Sequence, residues 1–370
     1  MKKRLLIILL FLLSRNKVYA LETSAESACM IIADTGTVIY DKNSQEKLPM
    51  ASTTKIMTAI LALEKSNPTD VVTVSSNAAA QEGSSIYIEN GDKIYMNDLL
   101  YGLMLNSGND AAVAIAEYVS GNTNNFANEM NSLAKKIGAY NTSFQNPNGL
   151  DDNEHYTTAY DLALITAYAM KNPDFRNIVS TKEKNCTLQN GNILYFSNHN
   201  KLLKMYDGTT GVKTGYTKKS GRCLVSAANK NGIELIAVTL NAPDDWNDHI
   251  SMMNYGFSTT KTMLLTSGNE IFKTIYTTNN REIGCLLKDE ISLPLHNETL
   301  PKNELITHLP KKLEPPLKKG EKIGEADIMI NGNLYKKTDI LCDRDISIQK
   351  GNFSSSFFRI VKRIKKLYLQ

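Results

Sequence analysis

The chain has 370 residues, of which 42% are hydrophobic and 22% charged, and its formal net charge is +4. Apolar residues are plentiful and the 21 glycines, 10 prolines and 5 cysteines are ordinary numbers, so the composition excludes disordered, collagen-like and disulfide-dense proteins. The length favours two domains, since single hydrophobic cores rarely grow beyond roughly 250–300 residues. A positive excess is compatible with nucleic acid or a membrane surface, and its position along the chain decides between them.

Residues 1–20 have the pattern of a secretory signal peptide. Three cations at positions 2–4 precede the uninterrupted apolar run 5–13, and Val18 and Ala20 stand at the −3 and −1 positions of a cleavage site. This run is too short to cross a bilayer as a helix, which takes about 20 apolar residues. We therefore expect an exported, extracytoplasmic protein; the alternative is an uncleaved short anchor.

Residues 21–265 are predicted to form a first domain of the α/β class. Short β-rich runs at 29–33 and 37–40 open it, and a hairpin at 221–240, turning at Asn231-Gly232, lies near its end. Strands at both ends of the segment predict one antiparallel sheet built from both ends. Apolar residues recur with helical periodicity in the remaining segments, over 52–65, 97–105, 110–119, 124–137, 157–170 and 244–257.

Residues 270–352 differ in composition from the first domain. Half of the ten prolines lie within 294–316, among short β-rich runs, and helical periodicity is absent. We expect a small β-sandwich-like second domain here.

Residues 353–370 carry five cations and no acidic residue. Apolar side chains recur there every three or four residues, which predicts an amphipathic helix lying in the outer face of the cytoplasmic membrane. A surface helix packed on the body and a nucleic-acid tail are the alternatives. Without residues 1–20 and this tail, 32 cations face 38 acidic residues, a net charge of −6, so nucleic acid is not expected as a partner.

The cysteines and histidines do not indicate a metal or a cofactor. The five cysteines are scattered without CxxC spacing, and the five histidines lack an HExxH pattern. We therefore predict no disulfide framework, no metal site and no cofactor.

Ser52 and Lys55 stand at the start of the first predicted helix. Their spacing places both side chains on one helical face, one turn apart. Lysine acts as a base only when its pKa falls, which burial and a cationic neighbour achieve, and the neutral amine then activates the hydroxyl for acyl transfer. Taken alone, Ser52 is most simply a helix N-cap.

Two further sets of polar residues can be explained either by a role in catalysis or binding, or by local structure alone. Ser107 and Asn109 lie in a loop between predicted helices, where they can face a shared cleft or merely form a turn and a cap. Lys213, Thr214 and Gly215 are predicted to open the hairpin strand. A lysine there can hold negative charge, a threonine hydroxyl can bind a carboxylate, and glycine lets a ligand approach the backbone.

Together, SxxK, SxN and KTG in this order form the signature of the penicillin-binding serine acyl transferases. The chain resembles the D-alanyl-D-alanine carboxypeptidases, low-molecular-mass penicillin-binding proteins of the S11 serine peptidase type. The resemblance is strong over about residues 25–260 and weaker over the proline-rich segment, through residues 317–324. It is carried by 48–59 (LPMASTTKIMTA), 83–85 (GSS), 105–111 (LNSGNDA), 148–151 (NGLD) and 211–215 (GVKTG).

The resemblance implies a penicillin-binding, transpeptidase-like α/β (α+β) domain with an antiparallel sheet and a helical cluster, then a small all-β domain and an amphipathic anchor. It implies that Ser52 attacks the D-Ala-D-Ala bond of a peptidoglycan stem pentapeptide, with Lys55 accepting the proton, and that water hydrolyses the acyl-enzyme. Backbone N–H groups of Ser52 and Tyr216 would form the oxyanion hole. β-Lactams would acylate Ser52 and stay bound.

The resemblance also assigns the remaining polar groups. Ser107 would relay protons and Asn109 would bind the peptide amide. Lys213 and Thr214 would meet the terminal carboxylate, with Gly215 beside them in the substrate-binding strand.

One feature departs from the family pattern, and another suggests a different catalytic arrangement. Many relatives place an arginine after the hairpin to bind the carboxylate, whereas residues 241–249 are acidic and contain none, which leaves the strict carboxypeptidase preference open. His155 lies near Asp151 and Asp152 and suggests a Ser-His-Asp triad, although the polarity of a surface loop is the simpler explanation.

Three alternative functions remain. A class A β-lactamase shares SxxK and KTG, but Ser107-Gly108-Asn109 replaces its Ser-Asp-Asn, and the extra β domain and basic tail argue against it. A non-catalytic cell-wall-binding protein of the same fold is the second alternative. Endopeptidase action on cross-links by the same mechanism is the third.

Overall fold

The computed structural model of the protein describes residues 21–268 and 270–347. The predicted signal peptide (1–20) and the predicted amphipathic helix (353–370) lie outside these residues.

Within the described residues the chain forms sixteen strands and nine helices. The strands are β1 (Ser27–Ile32), β2 (Val38–Lys42), β3 (Val71–Thr73), β4 (Lys93–Tyr95), β5 (Glu183–Thr187), β6 (Ile193–Ser197), β7 (Thr209–Thr217), β8 (Gly221–Lys230), β9 (Ile233–Leu240), β10 (Thr260–Thr266), β11 (Ile271–Tyr276), β12 (Glu282–Leu287), β13 (Ile291–His296), β14 (Asn303–His308), β15 (Lys322–Ile330) and β16 (Asn333–Cys342). The helices are α1 (Lys55–Lys65), α2 (Ser76–Ala79), α3 (Met96–Leu105), α4 (Asn109–Ser120), α5 (Thr123–Ile137), α6 (Ala159–Ala169), α7 (Pro173–Ser180), α8 (Leu202–Met205) and α9 (Asp245–Thr259). A 3₁₀ turn, Ala51–Thr54, leads directly into α1.

The main sheet of the first domain has the strand order β2-β1-β9-β8-β7 and is antiparallel throughout. β1 pairs with β9, and Cys29 lies opposite Val238, so the prediction of a sheet built from both ends is confirmed. Alternate residues of β1 face opposite sides, as strand geometry requires. Cys29 and Ile31 pack with the helical cluster, whereas Met30 and Ile32 pack in a second cluster with residues of α9.

The predicted helices of this domain are confirmed, with ends shifted by a few residues. The predictions missed α7, the one-turn helices α2 and α8, the short strand pair β3–β4 and the hairpin β5–β6. Strands β5 and β6 each have one buried residue, so the apolar alternation that marks a half-buried strand is too weak to detect. The KTG segment lies on a strand, as predicted, but in the middle of the edge strand β7 and not at the start of the predicted hairpin β8–β9. Strand β7 itself turns tightly into β8, with Thr217 opposite Gly221.

The second part of the chain is all-β within the described residues, as predicted. A five-stranded sheet of order β11-β12-β16-β15-β14 and the pair β10–β13 share one apolar core. Ile283 and Ile340 contribute to this core from the larger sheet and Leu293 from β13. Because β10 pairs with β13, the β-rich part begins near residue 260, ahead of the boundary expected at 265–270.

The two parts contact each other away from the cleft described below. Asn331, in the turn between β15 and β16, donates a hydrogen bond from Nδ2 to the carbonyl of Thr35, at 3.1 Å. None of the helices within residues 21–268 and 270–347 combines the length and apolar content that a membrane crossing requires.

Candidate active site

Ser52 lies in the 3₁₀ turn that precedes α1, at the mouth of a cleft. The turn begins at Ala51, whose φ is +47°, a conformation that non-glycine residues seldom adopt. Two threonine hydroxyls hold it: Thr53 Oγ1 donates to the carbonyl of Met50 at 2.6 Å, and Thr54 Oγ1 donates to that of Ala51 at 2.8 Å. Ser52 itself makes no side-chain cap, so the N-cap interpretation is wrong.

Lys55 is completely buried beside Ser52. Its Nζ lies 3.0 Å from Ser52 Oγ, 2.7 Å from Asn109 Oδ1 and 2.6 Å from the carbonyl oxygen of Asn148. Burial lowers the pKa of this amine well below its usual value, and the nearby charge of Lys213 lowers the pKa further. A neutral amine has two N–H donors for the two carbonyl oxygens and one lone pair, which then faces the serine hydroxyl. This geometry suits a base that takes the proton of Ser52.

Asn109 connects the lysine to a second wall of the cleft. Its Nδ2 donates to the carbonyl of Glu82 at 2.6 Å, and its backbone N–H donates to the carbonyl of Ser84 at 2.7 Å. The neighbouring Asp110 carboxylate accepts from Ser85 Oγ at 2.6 Å and from the backbone N–H of Ile86. These bonds fix the loop at 82–88 against the start of α4.

Ser107 is the second serine of the predicted site. It adopts a φ of +64° in the turn between α3 and α4, its side chain is almost fully buried, and it lines the same cleft as Ser52. A left-handed serine in a short inter-helical turn is uncommon, and strained positions of this kind cluster at functional sites.

Lys213, Thr214 and Gly215 lie on β7, the edge strand of the main sheet that closes the other side of the cleft. Lys213 is 1% exposed, and burial lowers its pKa to about 7. Its Nζ donates to the carbonyl of Thr214 at 2.9 Å. Thr214, Gly215 and the largely exposed Tyr216 line the cleft with Ser52.

Two glycines allow the backbone to close around the N–H of Ser52. A Cβ on Gly215 would lie 3.1 Å from that nitrogen, and a Cβ on Gly149 would lie 2.0 Å from the carbonyl oxygen of Ala51. Gly149 also has a φ of +86°, which favours glycine. The 3₁₀ turn is therefore held between β7 and the loop at 148–150.

The structure thus brings Ser52, Ser107, Thr214, Gly215 and Tyr216 to one cleft of about 330 Å³. Lys55, Asn109 and Lys213 lie buried directly behind it. Sequence reasoning assigned no function to six further residues of the lining, namely Ser84, His199, Lys201, Arg222, Asp245 and Trp246.

His155 does not belong to a polar surface loop, as the sequence suggested. It is only 3% exposed, and its ring makes hydrogen bonds inside the protein. Nδ1 accepts a hydrogen bond from the backbone N–H of Gln145 at 3.0 Å, so Nε2 carries the proton and donates to Thr54 Oγ1 at 2.8 Å. Burial lowers the His155 pKa to about 4. Because Thr54 separates it from Ser52, His155 supports the 3₁₀ turn and does not form a triad with the serine.

The acidic stretch after the hairpin also has an explanation that the sequence did not provide. Asp245, the first residue of α9, accepts two hydrogen bonds from Nη2 of Arg222 on β8, at 2.7 and 3.0 Å. Arg222 therefore lines the cleft. It lies on β8, about twenty residues before the position after the hairpin where the arginine was expected.

The arrangement has the parts of an acyl-transfer site. A hydroxyl lies against a desolvated amine, a backbone N–H is packed between two glycine-containing segments, and the cationic side chains of Lys201 and Arg222 line the cleft. Within residues 21–268 and 270–347, no group of three or more His, Cys, Asp or Glu side chains is placed to hold a metal ion.

Comparison with known proteins identifies the family. Residues 14–244 match the family model described as D-alanyl-D-alanine carboxypeptidase, and residues 259–347 match that of the penicillin-binding protein 5 C-terminal domain. The D-alanyl-D-alanine carboxypeptidase DacF of Bacillus subtilis (strain 168) is 33% identical over 334 residues, which cover 87% of this chain and 86% of DacF.

Solved structures agree with this match. The Streptomyces K15 DD-transpeptidase is 35% identical, with a TM-score of 0.61, over 64% of this chain and 98% of its own. Penicillin binding protein 5 from Haemophilus influenzae is 26% identical, with a TM-score of 0.66, over 88% of this chain and 98% of its own. With its fold, its serine–lysine pair and both family models in agreement, this chain belongs to the S11 family of D-alanyl-D-alanine carboxypeptidases, serine hydrolases among the low-molecular-mass penicillin-binding proteins.

Proposed function

We propose that this protein removes the terminal D-alanine from peptidoglycan stem pentapeptides through an acyl-enzyme on Ser52. The observation that carries the proposal is the contact of 3.0 Å between Ser52 Oγ and the buried Nζ of Lys55. The names of its relatives give the substrate class, and the family gives the reaction type.

In the first half of the reaction, Ser52 Oγ bonds to the carbonyl carbon of the penultimate D-alanine while its proton passes to Lys55 Nζ. The N–H groups of Ser52 and Tyr216 stabilise the oxyanion, and such preorganised donors are worth roughly 3–4 kcal/mol each. The C–N bond then breaks, and the amine of the leaving D-alanine takes the proton from Lys55 through Ser107. Water hydrolyses the ester by the reverse sequence of proton transfers.

The remaining residues of the site bind and orient the peptide. Asn109, fixed by its bonds to Lys55 and Glu82, offers its carboxamide to a backbone amide of the substrate. Lys213, Thr214 and Gly215 on the edge strand bind the substrate beside its terminal carboxylate, since an edge strand leaves alternate backbone groups unpaired. β-Lactams enter the same cleft, acylate Ser52 and remain attached.

Labelling of the full chain with a fluorescent penicillin tests this proposal, together with D-alanine release from diacetyl-L-Lys-D-Ala-D-Ala. We expect the wild type to show both, with the label on the peptide that contains Ser52. Ser52→Ala should lose both, and the surface variant Ser132→Ala should keep both. Labelling that persists in Ser52→Ala would refute the assignment of the nucleophile.

The same experiment separates the alternative functions. Rapid release of hydrolysed penicillin, in place of a long-lived adduct, would indicate a β-lactamase. A wild-type protein that neither takes up penicillin nor releases D-alanine would indicate a non-catalytic wall-binding protein. Cleavage of cross-linked dimers at a rate comparable with D-alanine release would indicate an endopeptidase.

We also propose that the protein is exported through the signal at residues 1–20 and associates with the outer face of the cytoplasmic membrane through residues 353–370. The apolar periodicity and the five cations of the tail support this location. Its substrate, a cell-wall peptide, lies on the same side of that membrane.

A further inference from the structure

Arg222 is a cation of the cleft wall that the reaction described above does not use. It lies near the start of β8, directly opposite Tyr216 of β7 in the antiparallel register. Its side chain is 43% exposed and lines the cleft together with Ser52 and Thr214. The guanidinium is therefore accessible to a molecule that occupies the cleft.

Two neighbours hold this guanidinium in place. The Asp245 carboxylate, whose side chain is only 4% exposed, accepts both of the hydrogen bonds from Nη2. The Trp246 ring centroid lies 5.8 Å from the guanidinium carbon, within the range of a cation–π contact. Burial raises the Asp245 pKa, and the bonds from Arg222 act against that rise. A side chain held in this way loses less conformational entropy when it binds a ligand.

The contact with Asp245 leaves most of the guanidinium free. Arginine has five N–H donors in a planar fork. Among the residues that the structure describes, its side chain donates through Nη2 to Asp245, so Nε and Nη1 keep donors for a second carboxylate. The cleft's other cations are less suited to this task. Lys55 and Lys213 are buried, and Lys201 is an exposed, flexible lysine that offers only a point charge.

A carboxypeptidase must recognise the free carboxylate next to the bond that it cleaves. We propose that Arg222, held by Asp245 and Trp246, binds the terminal carboxylate of the leaving D-amino acid and so gives this enzyme its preference for C-terminal residues. This inference rests on the proposed function and assigns its carboxylate site to a residue outside the three sequence motifs. The guanidinium bridges two carboxylates, one from Asp245 and one from the substrate.

A matched pair of N-acyl-D-alanyl thioesters tests the assignment on the full-length protein. Both carry the same acyl group, and their leaving groups end in a carboxylate or in a carboxamide. Thioesters are reactive enough for the wild type to cleave both, which separates recognition of the carboxylate from the chemistry at Ser52. The measured quantity is the ratio of kcat/KM for the two substrates, in the wild type, Arg222→Gln, Arg222→Lys and Lys201→Gln.

We expect Arg222→Gln to lower kcat/KM for the carboxylate substrate by about 10- to 100-fold, the usual effect of a charge-assisted hydrogen bond, with little change for the carboxamide. Arg222→Lys should lose less, because the charge remains, and Lys201→Gln should keep the wild-type ratio. Equal losses on both substrates would mean that Arg222 is only structural, and a carboxylate-specific loss confined to Lys201→Gln would move the site to that lysine. Either result overturns the inference. A wild type that cleaves neither thioester would instead refute the proposed function.

Discussion

Two buried lysines define the chemistry of this protein at the scale of single residues. Lys55 and Lys213 are both withdrawn from solvent, which disfavours the charged form of an amine. The charge of Lys213 lowers the pKa of Lys55 further, whereas burial alone lowers the pKa of Lys213. Such groups lower the stability of the fold, and they are kept where a neutral amine is useful.

The instability caused by Lys213 should depend on pH in a defined window. Its pKa is about 7 in the folded protein and about 10.4 in an unfolded chain. Below pH 7 both states hold the proton and the full penalty applies. Between pH 7 and about 10 the unfolded state binds more protons, so stability rises with pH, and above that range the penalty is gone.

Lys213→Met should therefore raise the free energy of unfolding most at pH 6–7, and the gain should shrink steadily towards pH 10. Urea unfolding of both proteins across this range measures the difference, and Lys219→Met, at an exposed lysine, is the control. A gain that is constant with pH would show that the Lys213 amine does not carry a lowered pKa. Penicillin labelling of the same variant should be impaired.

Sequence alone identified the residues that meet at Ser52 but not all of those that support them. The spacing of Ser52 and Lys55 along one helical turn is local, so a pattern in the chain is sufficient to place them together. Arg222 and Asp245 are 23 positions apart, and only the pairing of β8 with β7 and the start of α9 bring them to the cleft. The polar loop around His155 gave no sign that the imidazole is buried.

At the scale of secondary-structure elements, the position of Ser52 depends on two segments, distant in sequence, that pack against the 3₁₀ turn. β7 approaches through Gly215, and the loop at 148–150 approaches through Gly149. The carbonyl of Asn148 in that loop also binds Lys55 Nζ. Sequence predicted the helix α1 and a strand at the KTG segment, whereas the close approach of these segments follows from tertiary packing that no local pattern encodes.

Gly149→Ala should disrupt this arrangement, because the added Cβ would lie 2.0 Å from the Ala51 carbonyl oxygen and 3.0 Å from the Ser52 nitrogen. We expect the turn to move and acylation by penicillin to slow by at least about 100-fold, since removing one oxyanion-hole donor has an effect of this order. The measurement is the second-order rate of labelling, with the urea midpoint recorded in parallel.

Gly121→Ala is the matched control. Gly121 has a φ of +79°, comparable with the +86° of Gly149, but nothing lies within 4 Å of its added Cβ. Both variants carry the strain of a left-handed alanine, about 1–2 kcal/mol, and only Gly149→Ala adds the clash. Similar labelling rates in the two variants would show that the loop at 148–150 does not position Ser52.

At the scale of the whole molecule, positive charge is concentrated at the two ends of the chain, and the body between them is acidic. The body between the signal and the tail has a net charge of −6, whereas residues 353–370 add five cations without an acidic residue. An acidic body is repelled by an anionic membrane, so the membrane association proposed above would depend on local attraction from the basic tail. The second β core, with Ile283, Leu293 and Ile340 at its centre, then stands between the catalytic cleft and that tail along the chain.

The tail should therefore bind the full chain to anionic membranes through charge and apolar contact together. Replacing Lys362, Arg363, Lys365 and Lys366 by glutamine should weaken binding to vesicles of phosphatidylcholine and phosphatidylglycerol on the order of 10²–10³-fold, at about 1 kcal/mol for each cation. A control variant carries the same loss of four charges on the exposed lysines of the second domain, Lys311, Lys312, Lys318 and Lys319. Co-sedimentation at low and high salt measures both, and equal weakening in the two variants would assign membrane binding to overall charge and refute a role specific to the tail.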